Sequence, residues 1–363
     1  MERLLELADI TMYPAKLGYS SKQVGNINYA VVDPRDQGKF GTSLPIFTAP
    51  MESIVGMGTI EMWTGAGIRP IVPSSVGIKE RIEACKFVFS AFSLEETEKY
   101  FLSVKQSGQV HLCLEHHYGN DPVMFDLASR LRKTYGDNVI LMGGSLGNPE
   151  SYMEYSKSGF DYVRVGIGTG STVDSEKTGF YYPLGSLLID VDRTKRHAGV
   201  ALRDVKIIAD GGISSQLDIM KAIALGADYV MLGEQFTHLV EAEGQILKKA
   251  DKSGDFIPVS GEEIRKNGSS GIGSIIQGWK RAYYPLTSKY CQARRAGFPN
   301  EVEWIKRGGQ PKPSDAKWTL VDVDKTLAEW CQEMQIVIQN CFLQTGSGNW
   351  KDFKTNSNIC YGG

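Results

Sequence analysis

No apolar run in the chain approaches the ~20 residues that cross a bilayer, so no membrane partner is expected. Surplus positive charge is missing too: 40 Lys plus Arg stand against 42 Asp plus Glu, for a net charge of −2. Few cations are left to neutralise the phosphates of a nucleic acid, and none is expected as a partner. Cysteine is sparse. The six residues, at 85, 113, 291, 331, 341 and 360, form no C-x-x-C pair and show no zinc-like spacing with His. In a reducing compartment they read as small core hydrophobes. The opening MERLLELADI carries acidic residues where a secretory signal would be basic, and no long apolar core follows. These absences lead us to expect a soluble, cytoplasmic protein.

What is present is a regular alternation. Eight short apolar runs recur: LPIFTAP (44–50), IRPIVPS (68–74), FVFSAF (87–92), QVHLCLE (109–115), NVILMGG (138–144), YVRVGIG (162–168), VKIIADG (205–211) and YVMLGEQ (229–235). They are continuously apolar, as expected of parallel strands covered on both faces. Amphipathic segments lie between them, at 93–106, 121–136, 148–159 and 214–227. The last opens on Ser and closes on Gly, a cap at each end. Eight strand–helix units predict an α/β fold, a (β/α)8 TIM barrel, with 1–363 as one domain. A doubly wound open sheet is the runner-up. It calls for a G-x-G-x-x-G turn after the first strand, and TAPMESIVGMG is not one. Two segments break the rhythm: 166–184, expected to be a long active-site loop, and 251–320, expected to be a C-terminal flap or insertion. The tail 324–342 has a helical pattern that suits a closing helix.

Barrels keep their chemistry at the C-terminal ends of strands. The seventh run ends in Asp210, Gly211 and Gly212. A carboxylate there can accept from two vicinal ribose hydroxyls, and two glycines let backbone N–H groups approach a phosphate. The eighth run ends on Gly233 and Glu234, a second glycine tip where barrels often bind phosphate. After the sixth run, Gly166, Gly168 and Gly170 expose backbone amides and carbonyls, a nest for an anion or a cation.

These residues carry a family resemblance. ADGGISSQLDIMKAIALGADYVMLGEQF resembles the phosphate-binding half of the IMP dehydrogenase and GMP reductase family. RVGIGTGS…KTGFYYP resembles its active-site loop, LPIFTAPMESIVG its first barrel strand, DITMYPAKLGYSSKQV its N-terminal segment, and CLEHHYGN its fourth strand end. No insertion large enough for a paired regulatory domain follows the second strand, and KTGFYYP is closer to the reductase version of the loop. The resemblance implies a TIM barrel acting on a purine nucleoside monophosphate with NADPH, converting GMP to IMP, and a homo-oligomer, by family habit a tetramer. It implies that Asp210 holds the ribose and that Gly211, Gly212, Gly233 and Glu234 offer amides to the phosphate. Ser171 would add a phosphate hydrogen bond, and Met51 would lie under the base. Glu115 stands where the family has an Asp facing the nicotinamide ribose. Gly166 and Gly168 would shape a monovalent-cation site, for K+. The family's catalytic Arg–Tyr has two candidates in 251–320, namely Arg294–Arg295 and Tyr283–Tyr284.

One departure is chemical. The family loop reads Gly-Ser-x-Cys-Thr-Thr, and its Cys attacks C2 of the purine. Here Gly170, Ser171, Thr172, Val173, Asp174 and Ser175 follow one another, and no cysteine lies between 113 and 291. Valine forms no covalent intermediate, and a Ser or Thr hydroxyl without a base is no thiolate. Replacement groups are His116, His117 and Asp174. The paired histidines at a strand end suit general acid–base work near neutral pH. Alternation along a strand also leaves open that only one faces the site. Asp174 reads as a base, a cation ligand or a loop cap. Three functions follow: a GMP reductase-like oxidoreductase, a divergent purine-nucleotide enzyme with non-thiol chemistry (ligation or hydrolysis), or a non-catalytic nucleotide-binding protein.

Overall fold

A computed structural model of the chain describes residues 4–16, 43–116, 118–169, 179–198, 203–249, 256–268, 278–283, 293, 301–308 and 319–361. A short strand β1 (Ile10–Tyr13) precedes eight strands that run parallel in one sheet. These are β2 (Ile46–Thr48), β3 (Ile71–Val72), β4 (Phe89–Ser93), β5 (Val110–Glu115), β6 (Val139–Leu146), β7 (Tyr162–Val165), β8 (Lys206–Asp210) and β9 (Tyr229–Leu232). Each falls on one of the eight apolar runs. The sheet order is β2-β9-β8-β7-β6-β5-β4-β3. The ring is closed between its first and last members by a parallel bridge from Phe47 to Arg69. There the Thr48 N–H donates to the Arg69 carbonyl at 3.0 Å, and the Arg69 N–H to that of Ile46 at 2.9 Å. The fold is a (β/α)8 barrel.

Period-two alternation sends every second side chain inward. At the N-terminal end those side chains form an aromatic floor. Phe47 meets Phe89, Tyr162 and Tyr229 at ring separations of 5.7, 5.8 and 5.2 Å. The buried Arg69 guanidinium lies over Tyr229 at 5.1 Å. Edge-on aromatic pairs contribute about 0.5–1.5 kcal/mol each beyond their buried area. The floor leaves the C-terminal mouth as the open end of the barrel.

Helices fill the outer layer. Leu184–His197 follows β7, and Gln216–Ala224 follows β8, capped by Ser215, whose hydroxyl accepts from the Asp218 N–H. The segment expected as one helix at 93–106 is instead a single α-turn, Leu94–Thr97, that widens into a π-type turn, Glu98–Leu102. The closing helix runs Leu327–Thr345, capped at its start by Thr326 and ended by Gly346 in the left-handed conformation. Beyond β9 a second sheet appears. It contains β10 (Ile246–Lys249), β11 (Phe256–Pro258), β12 (Trp279–Tyr283) and β13 (Thr319–Asp322), antiparallel in the order β11-β10-β12-β13. β11 and β12 come from the 251–320 segment, and β13 begins at its end. The last strand, β14 (Asn358–Tyr361), pairs antiparallel with β1 and brings the two ends of the chain together. Among the described residues no helix is long and apolar enough to cross a membrane.

Candidate functional site

The mouth is built from the last inward residues of the strands. Asp210 closes β8. Burial pushes its carboxyl above the ordinary carboxylate range, and the Arg164 guanidinium pulls it partly back. Arg164 is inward on β7, two residues above Tyr162 of the floor, and only 6% exposed. Burial opposes its charge, and the nearby Asp210 and Glu115 carboxylates are among the groups that favour the cation. Its Nη2 reaches the Gly144 carbonyl at 3.4 Å, and its buried Nε has no hydrogen-bond partner among the described residues. A buried donor without a partner is costly, about 1–3 kcal/mol, unless something else fills the place. Glu115, at the end of β5, is half-buried and completes a carboxylate–guanidinium–carboxylate arrangement.

The glycine tips lie beside it. Gly211 and Gly212 have φ of +92° and +69°, a left-handed turn that favours glycine twice over, and both are accessible. Gly166 lies hard against β8: a Cβ there would stand 1.9 Å from the Asp210 carbonyl oxygen. Only glycine lets the start of the site loop approach this closely. A Cβ on Gly168 would stand 2.7 Å from the Phe180 carbonyl oxygen, where the exit of that loop returns. At the other tip, a Cβ on Gly233 would meet Met51 Sδ at 3.3 Å and Tyr283 Oη at 3.4 Å. Met51 is buried beneath this tip, and Glu234 is exposed at the start of the short helix Glu234–Thr237.

The two tips are tied by a residue the sequence reading passed over. Gln235 Nε2 donates to the Ile213 carbonyl at 3.0 Å, and its Oε1 accepts from Trp330 Nε1 of the closing helix at 3.3 Å. Arg164 was also passed over. Its signal was a lone cation inside an otherwise apolar strand.

His116 is engaged within its own loop. Its Nε2 lies 3.4 Å from Asp121 Oδ2, and its Nδ1 accepts from the Tyr118 N–H at 3.3 Å. Asp121 in turn caps the helix Pro122–Tyr135 by accepting from the Val123 N–H. Cys113 is fully buried on β5, and desolvation pushes its thiol up to about 12, so no thiolate forms there near neutral pH. His117, Gly170, Ser171, Val173, Asp174, Tyr284, Arg294 and Arg295 lie outside the described residues. Among the described residues no group of three His, Cys, Asp or Glu side chains could hold a metal ion.

The sequence pattern of the IMP dehydrogenase / GMP reductase domain matches residues 87–264. That span runs from β4 through β11 and contains Glu115, Arg164, Asp210 and both glycine tips. Full-length comparison finds a GMP reductase of Streptococcus suis (strain 05ZYH33), 26% identical over 297 residues, covering 79% of this chain and 82% of that protein. A GMP reductase of Bacillus subtilis (strain 168) is 27% identical over 263 residues, covering 69% of this chain and 76% of its own length. A GMP reductase of Helicobacter pylori (strain ATCC 700392 / 26695) is 28% identical over 232 residues, 57% of this chain and 64% of that protein. Barrel, mouth and relatives point the same way: over residues 87–264 the chain is similar to the IMP dehydrogenase / GMP reductase family.

Proposed function

We propose that the mouth binds a purine nucleoside monophosphate and that the chain is a GMP reductase-like oxidoreductase whose purine chemistry runs without the loop thiol. The observation that carries this reading is the alignment of Asp210 with two accessible left-handed glycines on β8 and a third glycine tip on β9, tied together by Gln235. In this reading Asp210 accepts from the ribose hydroxyls. Gly211, Gly212, Gly233 and Glu234 turn amides to the phosphate, joined by Ser171 and the Tyr283 hydroxyl, and Met51 lies under the base. Gly166 and Gly168 line the K+ site the family resemblance implies.

NADPH, when bound, supplies the reducing equivalent. The residues at the mouth fit it: Glu115 offers a half-exposed carboxylate to ribose hydroxyls, and the Nε of Arg164, unpartnered among the described residues, offers a buried donor to a carbonyl. Asp210 and Glu115 both lie within the electrostatic reach of the Arg164 guanidinium. Valine stands at 173 where the resemblance implies a cysteine, and Cys113 is held as a neutral thiol, so among the described residues no mouth cysteine offers a thiolate to the purine. The homotetramer and the cytoplasm belong to the same reading, by resemblance.

A second reading has one observation in its favour. The His116–Asp121 pair sits immediately after Glu115, with Asp121 fixed by its helix cap. A carboxylate holding one imidazole nitrogen orients the ring, and once Nδ1 is released from Tyr118 it would act as a general base, with His117 and Asp174, for non-thiol ligation or hydrolysis on the same nucleotide.

Absorbance of the reduced nicotinamide, followed with GMP and NADPH, separates the readings. Turnover supports the oxidoreductase. Tight nucleotide binding without oxidation of NADPH removes it in favour of the second reading or of a non-catalytic nucleotide-binding protein.

A further inference from the structure

β12 crosses over the chain that leaves β9, and its alternation sends Trp279, Arg281 and Tyr283 to one buried face. Arg281 is fully buried. Its guanidinium donates to four backbone carbonyls of one short stretch: Thr237 at 2.7 Å, Leu239, Val240 at 3.1 Å and Gly244 at 3.2 Å. That stretch begins where the Glu234–Thr237 helix ends, one turn beyond the Gly233 tip. Burial lowers the guanidinium to about 10, with Glu241 and Glu243 opposing, so it stays charged at neutral pH. Two residues further along β12, the Tyr283 hydroxyl lies beside Gly233. A planar fork with five donors can hold four carbonyls at once, which a lysine ammonium cannot do in the same geometry.

We propose that Arg281 is a positioning residue for the phosphate end of the site: it fastens β12 to the segment following β9 and thereby sets the Tyr283 hydroxyl at the Gly233 tip. The proposal rests on the nucleotide reading above. It assigns a role to a residue that touches no ligand itself and acts through Tyr283.

The test titrates GMP and guanosine, which lacks the phosphate, into wild type, R281K, Y283F and the double variant, with a thermal melt of each. The expected result is a roughly tenfold loss of GMP affinity in R281K, the scale of one lost hydrogen bond to a charged group. Guanosine affinity should stay within about twofold of wild type, because its contacts lie away from this tip. Y283F should show the same phosphate-selective loss. The double variant should bind GMP no worse than Y283F, since a residue that acts through another adds nothing once that other is removed. Equal losses for GMP and guanosine, an unchanged GMP affinity in R281K, or additive losses in the double variant would overturn the proposal. Should R281K fail to fold, Y283F decides: an unchanged GMP-to-guanosine ratio refutes it. A wild-type chain that binds neither ligand removes the nucleotide reading and this proposal together. Intact wild-type binding with unchanged ratios removes the proposal alone.

Discussion

Gln235, on the first turn after β9, donates its side-chain amide to the carbonyl of Ile213, in the turn after β8, at 3.0 Å. One hydrogen bond thus joins the two glycine tips, and the same side chain reaches back to Trp330 of the closing helix. Gln235→Ala should therefore weaken binding of a nucleoside monophosphate by about five- to tenfold, the scale of one buried hydrogen bond near 1 kcal/mol. The nucleoside should be affected much less. Calorimetric titration with both ligands checks this, and equal losses would mean that Gln235 serves the fold and not the phosphate.

Asp210 carries a pH signature. Its carboxyl is raised by burial, so the folded chain binds a proton that the unfolded chain has released. Stability contributed here is present at low pH and falls as pH rises through the raised value. Asp210→Asn should consequently melt higher than wild type at pH 7, with the gap closing in acid. In wild type, nucleotide affinity should fall as the carboxyl protonates; in the Asn variant it should be weak and flat with pH. A variant that melts lower than wild type at neutral pH contradicts the desolvated carboxylate.

Asp228 predicts the opposite trend. Burial works against its charge, but Lys195, Lys354 and Lys206 hold its carboxyl well below the usual carboxylate range. Lys195 Nζ lies at 3.0 Å and Lys354 Nζ at 3.1 Å. Lys354 belongs to the last helix, Trp350–Asn356, so this carboxylate fastens the end of the chain to the barrel. Its contribution is present above the ordinary carboxylate range and lost as pH falls through and below it. Asp228→Asn should cost up to about 3 kcal/mol at pH 7, the low end for removing one member of a buried ionic cluster, since Lys195 keeps Asp204 at 3.0 Å. Denaturant melts at pH 7 and pH 3 measure it; an equal loss at both would contradict the ionic account.

The strands were legible because a strand covered on both faces must be apolar along its length, and all eight runs became barrel strands. The glycines at 211, 212 and 233 were legible because a tight turn beside a strand end has few other solutions. Arg164 was hidden by the apolar strand around it, since a single cation in such a run can face either layer. Gln235, Arg281 and Tyr283 were less visible for another reason. Their meaning lies in what they reach across the fold, and β12 reaches Gly233 from some fifty residues downstream. The widened helix at 98–102 had no signal in its periodicity, because a π-type turn changes the spacing by one residue within a single turn.

Val173 carries the chemical prediction. Val173→Cys would place in the loop the thiol that the family resemblance implies at this position. If the nucleophile alone is missing, NADPH oxidation in the presence of GMP should rise at least tenfold over wild type, an increment of ~1.4 kcal/mol in the barrier. A variant that binds GMP and still leaves NADPH untouched would show that other groups of the mouth have changed their task as well.

The central claim is that Asp210 and the adjoining glycine tips hold a nucleoside monophosphate. Calorimetric titration of GMP and IMP into wild type and Asp210→Ala tests it most directly. The account predicts saturable binding of at least one of the two by wild type and its loss in the variant. Equal affinity in both proteins, or no heat with either nucleotide in wild type, would contradict it.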